Sequence, residues 1–155
     1  MIKAIALDVD GVLTDGTFWW DGADVELKRF SFRDIMGISR ASRQGIIFAL
    51  ISGEKNPIVD RYAAKMGITH VWQGCKAKDE ALRSFSEATA LPLDQIAFMG
   101  DDVNDLAALE LAGFTAAPAD AHESVCSLVK LVTKHPGGNG AVREMLDFLN
   151  LCEAG

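Results

Sequence analysis

The chain is poor in cysteine and in positive charge, and it has no long apolar run. Each shortage removes a class of protein. Among its 155 residues there are 3 cysteines, and 15 Lys+Arg stand against 22 Asp+Glu, a formal net charge of -7. Cys75, Cys126 and Cys152 are odd in number, widely scattered and contain no CxxC pair. That excludes a disulfide scaffold and leads us to expect reduced structural thiols in a cytoplasmic protein. The acidic balance argues against a nucleic-acid partner, because phosphate backbones select basic surfaces. It leaves room for a small anionic substrate, which feels its local site more than the net charge. No apolar run approaches the ~20 residues that span a bilayer. The N-terminus lacks the charged start, apolar stretch and small-residue cleavage site of a signal peptide, so no membrane partner is expected. Repeats and low-complexity stretches are also absent.

What remains is a chain whose residues are 49% hydrophobic, long enough to bury a real core as a single domain over 1–155. Continuous apolar runs alternate with amphipathic stretches. "IKAIALDV", "IIFALIS" (46–52) and "IAFMG" (96–100) read as strands covered on both faces, joined by the shorter "HVWQG" (70–74), "FTAAP" (114–118) and "LVKLVT" (128–133). Helical patterns fall at 34–44, 57–66, 77–89, 103–112, near 121–126 and at 140–151. Asn56 and Pro57 supply a cap and a first-turn proline for the second of these. Such alternation predicts an α/β fold, a mainly parallel sheet wrapped by helices. One stretch breaks the rhythm: "GTFWWDGADVELKRFS" (16–31) has two aromatic or alternating runs around "DGAD", the pattern of a β-hairpin.

Ligands of open parallel sheets bind at the carboxyl ends of the strands. Four chemical features fall there: "DVDG" (8–11), "SGE" (52–54), "QGCKAK" (73–78) and "GDDVND" (100–105). Asp8 and Asp10 bracket a single residue, and two such carboxylates repel unless a cation intervenes. Mg²⁺ suits them, since it takes hard oxygens from one or two carboxylates together with substrate phosphate. Asp101 can supply the second carboxylate. Asp8 could then attack phosphorus, while Asp10 protonates the leaving alcohol and later activates water. Ser52 and Gly53, between a strand and a helix, offer a hydroxyl and free amides to a phosphoryl group. Either Lys76 or Lys78 could neutralise an aspartyl-phosphate. Asp105 lies one helical turn beyond Asp101 and can orient Asp101 or the lysine. Asp102 either supports that arrangement or is a helix-start acid favoured by the helix dipole. Asp15 reads as a turn residue.

Together, "DVDGVLTDG", "SG", the lysine and "GDDVND" resemble, in order and spacing, the four motifs of haloacid dehalogenase superfamily phosphatases. "FSFRDIMGI", "ISGE", "QGCKAK" and "HPGGNGAVRE" extend the likeness to the small capless branch, which holds the 3-deoxy-octulosonate 8-phosphate phosphatases and the nonulosonate 9-phosphate phosphatases. The resemblance covers residues 2–151. It implies a Rossmann-like three-layer sandwich with no cap domain, a hairpin flap after the first strand, and a Mg²⁺-dependent phosphomonoesterase. By its pattern Asp8 is the nucleophile and Asp10 the acid/base; Asp8, the Asp10 carbonyl and Asp101 hold the metal; Ser52, Gly53 and Lys78 hold the phosphoryl group. It also implies a homotetramer in which hairpins roof neighbouring sites, a use that suits Phe18, Trp19 and Trp20.

For the substrate, the octulosonate enzymes usually carry "TGR" where this chain has "SGE". In the nonulosonate enzymes a glutamate there, and a lysine eleven residues later, mark the longer sugar acid. Glu54 and Lys65 match that pair, and Arg61 shares a helix face with Lys65. The expectation is therefore a nonulosonate 9-phosphate such as Kdn 9-phosphate. Kdo 8-phosphate, a substrate of lipopolysaccharide synthesis, is the alternative, and "FRDIMG" at Arg33 and Asp34 resembles the enzymes that use it. A phosphoaspartate receiver would need adjacent acids after the first strand and an aspartate ending the second; Val9 splits the acids and Ser52 ends that strand. A catalytically silent module would lack a catalytic position, and none is missing.

Overall fold

A computed structural model describes residues 1–152. Six strands form one sheet: β1 (Ala4–Leu7), β4 (Ile47–Ile51), β5 (His70–Trp72), β6 (Ile96–Met99), β7 (Phe114–Ala117) and β8 (Leu131–Val132). All pair in parallel, in the order β5-β4-β1-β6-β7-β8. β1 therefore sits between a strand that follows it and one that comes two crossovers later, the point where the winding reverses and α/β sheets bind ligands.

Strand alternation builds the layers. On β1, Ile5 and Leu7 face one side with Ile38 of α1 (Phe32–Arg43), Tyr62 of α2 (Pro57–Met66) and Met145 of α6 (Ala141–Phe148). Ala4 and Ala6 face the other, with Leu82 and Phe85 of α3 (Lys78–Thr89), Leu109 of α4 (Leu106–Leu111) and Val125 of α5 (Glu123–Cys126). Both faces of β1 are fully buried, which is why its sequence shows a continuous apolar run rather than alternation. Each large side chain so buried contributes about 1.5–3 kcal/mol. Asn56 caps α2 as its position predicts: its Oδ1 accepts from the Ile58 amide at 3.0 Å.

Three expectations need correction. The 103–112 helix is split: Val103–Asp105 is a 3-10 turn and only Leu106–Leu111 is α-helical. The cause is a capping box, in which Asp102 and Asp105 each accept from the other's end of the turn. The final helix stops at Phe148 rather than 151. The hairpin exists, but its ladder is short: β2 (Trp19–Trp20) pairs antiparallel with β3 (Glu26–Leu27), and the rest of 16–31 is irregular. Trp19 and Trp20 are 73% and 69% exposed, so they do not pack on the sheet.

Candidate active site

Four chain segments meet at the carboxyl ends of β1, β4, β5 and β6. They enclose a cleft of about 400 Å³ lined by Asp8, Asp10, Gly53, Glu54, Lys78 and Asp101, with Gly16, Cys75, Lys76, Asp102 and Asn104 completing the wall.

Asp8 is the first residue past β1, fixed by its amide donating to the Met99 carbonyl of β6 at 3.0 Å. The chain then turns sharply. The buried Thr14 closes this turn, its Oγ1 accepting from the amides of Gly11 at 3.3 Å and Gly16 at 3.2 Å. Gly11 has φ +91°, and a Cβ there would overlap the Asp101 carboxylate, so glycine lets the β6 acid approach the β1 turn. Asp15 stays out of the chemistry. Its Oδ1 accepts from the Thr17 amide at 3.0 Å and the Thr17 hydroxyl at 2.6 Å, pinning the entrance of the hairpin. Those bonds hold its carboxyl below the usual range.

Lys78 opens α3, where a cation opposes the helix dipole, and its side chain is almost fully buried. Both disadvantages are offset by two carboxylates: Nζ lies 2.8 Å from Asp8 Oδ1 and 2.6 Å from Asp105 Oδ1. Burial pulls the lysine's pKa down, but Asp8 and Asp105 outweigh it and hold it above the ordinary value. Lys76, by contrast, is exposed at the rim. Asp105 is fully buried, and its other oxygen accepts from the amides of Asp101 at 2.9 Å and Asp102 at 3.2 Å. It thus orients both the lysine and the Asp101 backbone. Asp102 itself faces outward, capping the turn through the Val103 amide at 2.7 Å.

Asp8, Asp101 and Asp105 bring one oxygen each within 4.8 Å of one another. Because Asp105 is already engaged by Lys78 and two amides, Asp8 and Asp101 are the pair left to hold a cation. Their electrostatics point the same way. Burial and the Asp105 charge push Asp8 up to about 6, with Lys78 pulling back. Burial and the Asp8 charge push Asp101 up to about 8. Two hard carboxylates straining to share a proton fit Mg²⁺.

Ser52, buried at the end of β4, receives the Glu54 amide on its Oγ at 3.3 Å, and its carbonyl accepts from the Cys75 amide at 3.0 Å. The loop carrying Ser52 and Gly53 is thereby fastened to the loop before Lys78. Glu54 is exposed on the cleft wall. Lys65 and Arg61 lie elsewhere. Both line a recess with Phe30, Phe32, Ile35, Ile58 and Tyr62, and the Lys65 ammonium stands 5.9 Å over the Phe32 ring. Neither lines the cleft that Glu54 lines.

Two features had no role in the motif reading. Lys28 reaches from the hairpin to Asp10, 2.8 Å from Nζ to Oδ1; the alternation of Glu26, Lys28 and Phe30 is its only sequence signal. The glycine-rich segment 135–140 lies directly behind the catalytic turn. Gly138 donates to the Val12 carbonyl at 3.0 Å, and a Cβ on Gly137 would collide with the Gly11 carbonyl. Buried Asp34 anchors that segment from α1, accepting from the amides of Gly140 at 3.2 Å and Arg143 at 2.9 Å. Burial raises its pKa against the pull of those amides.

Comparison with known proteins agrees with this geometry. A family model described as haloacid dehalogenase-like hydrolase matches residues 71–146. The chain is 40% identical over 152 residues to the 3-deoxy-D-manno-octulosonate 8-phosphate phosphatase of Escherichia coli strain K12, covering 98% of this chain and 81% of that one. The crystal structure of the enzyme of that name from Moraxella catarrhalis, in complex with a magnesium ion, a phosphate ion and a KDO molecule, superposes with a TM-score of 0.94 at 36% identity, covering 98% of this chain and 87% of that one. The cobalt-bound deoxy-D-mannose-octulosonate 8-phosphate phosphatase of Haemophilus influenzae gives a TM-score of 0.92 at 37% identity, covering 97% and 89%. With its strand-end acids, buried lysine and uncapped cleft, the chain belongs to the haloacid dehalogenase-like hydrolases, in their capless branch of small phosphomonoester hydrolases.

Proposed function

We propose that this protein is a Mg²⁺-dependent phosphatase that removes the terminal phosphate of a 3-deoxy-2-keto sugar acid, with Kdo 8-phosphate as the substrate. The observation that carries the chemistry is Lys78 bridging Asp8 and Asp105 in the floor of a cleft that Asp10 and Asp101 also line. The sugar is supported by relatives and solved structures of octulosonate 8-phosphate phosphatases that match over nearly the whole chain.

In this reading Asp8 and Asp101, with the Asp10 carbonyl, would hold Mg²⁺, which would supply positive charge to the phosphate oxygens. A carboxylate oxygen of Asp8 bonds to phosphorus as the ester P–O bond breaks. Asp10 gives its proton to the departing sugar oxygen. Asp10 then takes a proton from water, whose oxygen attacks the aspartyl-phosphate. Inorganic phosphate leaves and Asp8 is restored. Lys78, the Ser52 hydroxyl and the Gly53 amide neutralise and orient the phosphoryl oxygens throughout.

A nonulosonate 9-phosphate such as Kdn 9-phosphate is the second reading, favoured by Glu54 on the cleft wall. It is weakened by the position of Lys65 over Phe32, which leaves half of the expected pair outside the cleft of its own protomer. A homotetramer fits both readings, supported by the exposed hairpin aromatics Phe18, Trp19 and Trp20. A cytoplasmic location belongs to the same reading, supported by three free cysteines.

The test is phosphate release from a panel of sugar-acid phosphates with Mg²⁺. Kdo 8-phosphate should give the highest kcat/KM, and Asp8→Asn should release none. Higher kcat/KM on Kdn 9-phosphate would overturn the choice of sugar; no release from any ester would overturn the chemistry.

A further inference from the structure

The hairpin forms a sheet of its own and pairs with none of the six parallel strands. A file of polar groups ties its returning strand to the body of the protein. Glu26, Lys28 and Phe30 turn inward by strand alternation, while Leu27 and Arg29 between them are exposed. The Lys28 side chain is only 4% exposed, whereas the Asp10 side chain is 33% exposed. From that buried position Nζ donates to Asp10 Oδ1 at 2.8 Å and stands 3.8 Å from Glu26 Oε2. The same Glu26 oxygen accepts from Asn56 Nδ2 at 2.7 Å. Asn56 in turn caps α2 and donates its backbone amide to Gln73 Oε1 at 2.8 Å.

Two lysines therefore divide the acids of the site. Lys78 engages Asp8 and Asp105 from the helix side, and Lys28 engages Asp10 from the flap. Immobilising a lysine stem costs up to about 2 kcal/mol of side-chain entropy, and a partly exposed ion pair returns at most about 1 kcal/mol. Stability alone is a weak reason to bury Lys28. Geometry is a stronger one. A general acid works only within hydrogen-bond reach of the departing oxygen, and Asp10 sits half-open on a turn where its carboxylate is otherwise free to rotate.

We propose that Lys28 is the positioning residue for Asp10. It holds the acid/base carboxylate by one oxygen, in register with the leaving oxygen, and through Glu26 and Asn56 it makes that register depend on how the hairpin is seated. Lys28 does not line the cleft; it acts through Asp10. The inference rests on the phosphatase reading above and adds a role that reading does not need.

The experiment compares two esters. A sugar-acid phosphate has an alkoxide leaving group that needs the Asp10 proton; 4-nitrophenyl phosphate leaves without one. Lys28→Met, which keeps the stem and removes the charge, should lower kcat/KM about 100-fold on the alkyl ester, the size of a lost general acid. On the aryl ester the change should stay within about threefold. Lys28→Arg should restore most of the alkyl activity. Glu26→Gln, which loosens the ammonium without removing it, should lower the alkyl ester alone, by about tenfold. In an Asp10→Asn background Lys28→Met should add nothing, since both changes remove one function. An equal fall on both esters, or no fall on either, overturns the inference. If Lys28→Met does not fold, Lys28→Arg and Glu26→Gln decide it by the same split. Wild-type protein that hydrolyses neither ester overturns the phosphatase reading and this inference with it. Wild type active on both, with variants showing no ester-dependent split, overturns the role of Lys28 alone.

Discussion

Lys78 and Asp105 stand 2.6 Å apart in the floor of the cleft, both buried, and Asp8 completes the group at 2.8 Å on the other side of the ammonium. One cation there serves two anions, so the floor keeps a net negative charge that a second cation must balance. Removing the lysine leaves two buried carboxylates facing each other. Lys78→Met should destabilise the protein by about 3–5 kcal/mol, as for other broken buried pairs. It should also lower kcat at least about 100-fold through the lost phosphoryl contact. Urea unfolding and steady-state kinetics read the two effects; a stable, active Lys78→Met would refute the assigned role.

The raised acids make stability depend on pH in a direction opposite to an ordinary surface carboxylate. Burial and neighbouring charge put Asp8 at about 6 and Asp101 at about 8, against 3.8 for a free aspartate. The folded metal-free chain therefore holds protons the unfolded chain has released. Its stability is fully present below the unfolded value and is lost as pH rises through about 6 and then about 8. Without Mg²⁺, Tm should fall between about pH 5 and about pH 8.5; with saturating Mg²⁺ that fall should shrink or vanish. A metal-free Tm that rises across this window would contradict the assignment.

Mg²⁺ binding must displace the same protons. At about pH 7 titration with Mg²⁺ should release protons, detected calorimetrically in buffers of different ionisation enthalpy, and apparent affinity should weaken as pH falls. Asp101→Asn should abolish both the release and the tight binding.

The segment behind the catalytic turn leaves no room for a side chain. Gly137→Ala would drive a methyl into the Gly11 carbonyl. We expect a loss of about 1–3 kcal/mol, together with a fall in kcat, although residue 137 does not line the cleft. Normal kcat in a destabilised Gly137→Ala would show that the turn yields without moving Asp8 or Asp10.

In the proposed reading Glu54, exposed on the cleft wall above the buried Ser52 and Lys78, meets the sugar rather than the phosphate. Glu54→Lys should change the ratio of kcat/KM between Kdo 8-phosphate and Kdn 9-phosphate by about tenfold and leave 4-nitrophenyl phosphate nearly unchanged. A uniform effect on all three would remove Glu54 from substrate discrimination.

The parts of the site that the sequence announces are those fixed by one local rule. Asp8, Ser52 and Asp101 each follow an apolar run, and a buried parallel strand delivers whatever follows it to one edge of the sheet. Lys78 stands out because it begins a helix that would prefer an acid. The rest depends on distance along the chain. Lys28 and Asp10 are 18 positions apart, and Asp34 and Gly140 are 106; no periodicity links them. Arg61 and Lys65 illustrate the limit from the other side. Their common helix face is readable from their spacing, but where that face points is set by how α2 docks. The 3-10 turn at Val103–Asp105 was hidden by the same acids that revealed the site, since their side chains cap a turn instead of continuing a helix.

The place of Gly137 and Gly138 against the turn at Gly11 and Thr14 has a consequence in time. Asp8 and Asp10 leave the ribosome well before Gly137 and Gly138, and their turn gains its last neighbour only when those glycines emerge. β1 must also wait for β4 and β6 on either side. Such long-range closure slows folding and keeps the central strand exposed to wrong partners meanwhile. The catalytic turn is closed by a segment made much later, and a nascent chain that stops before α6 carries the acids without the site.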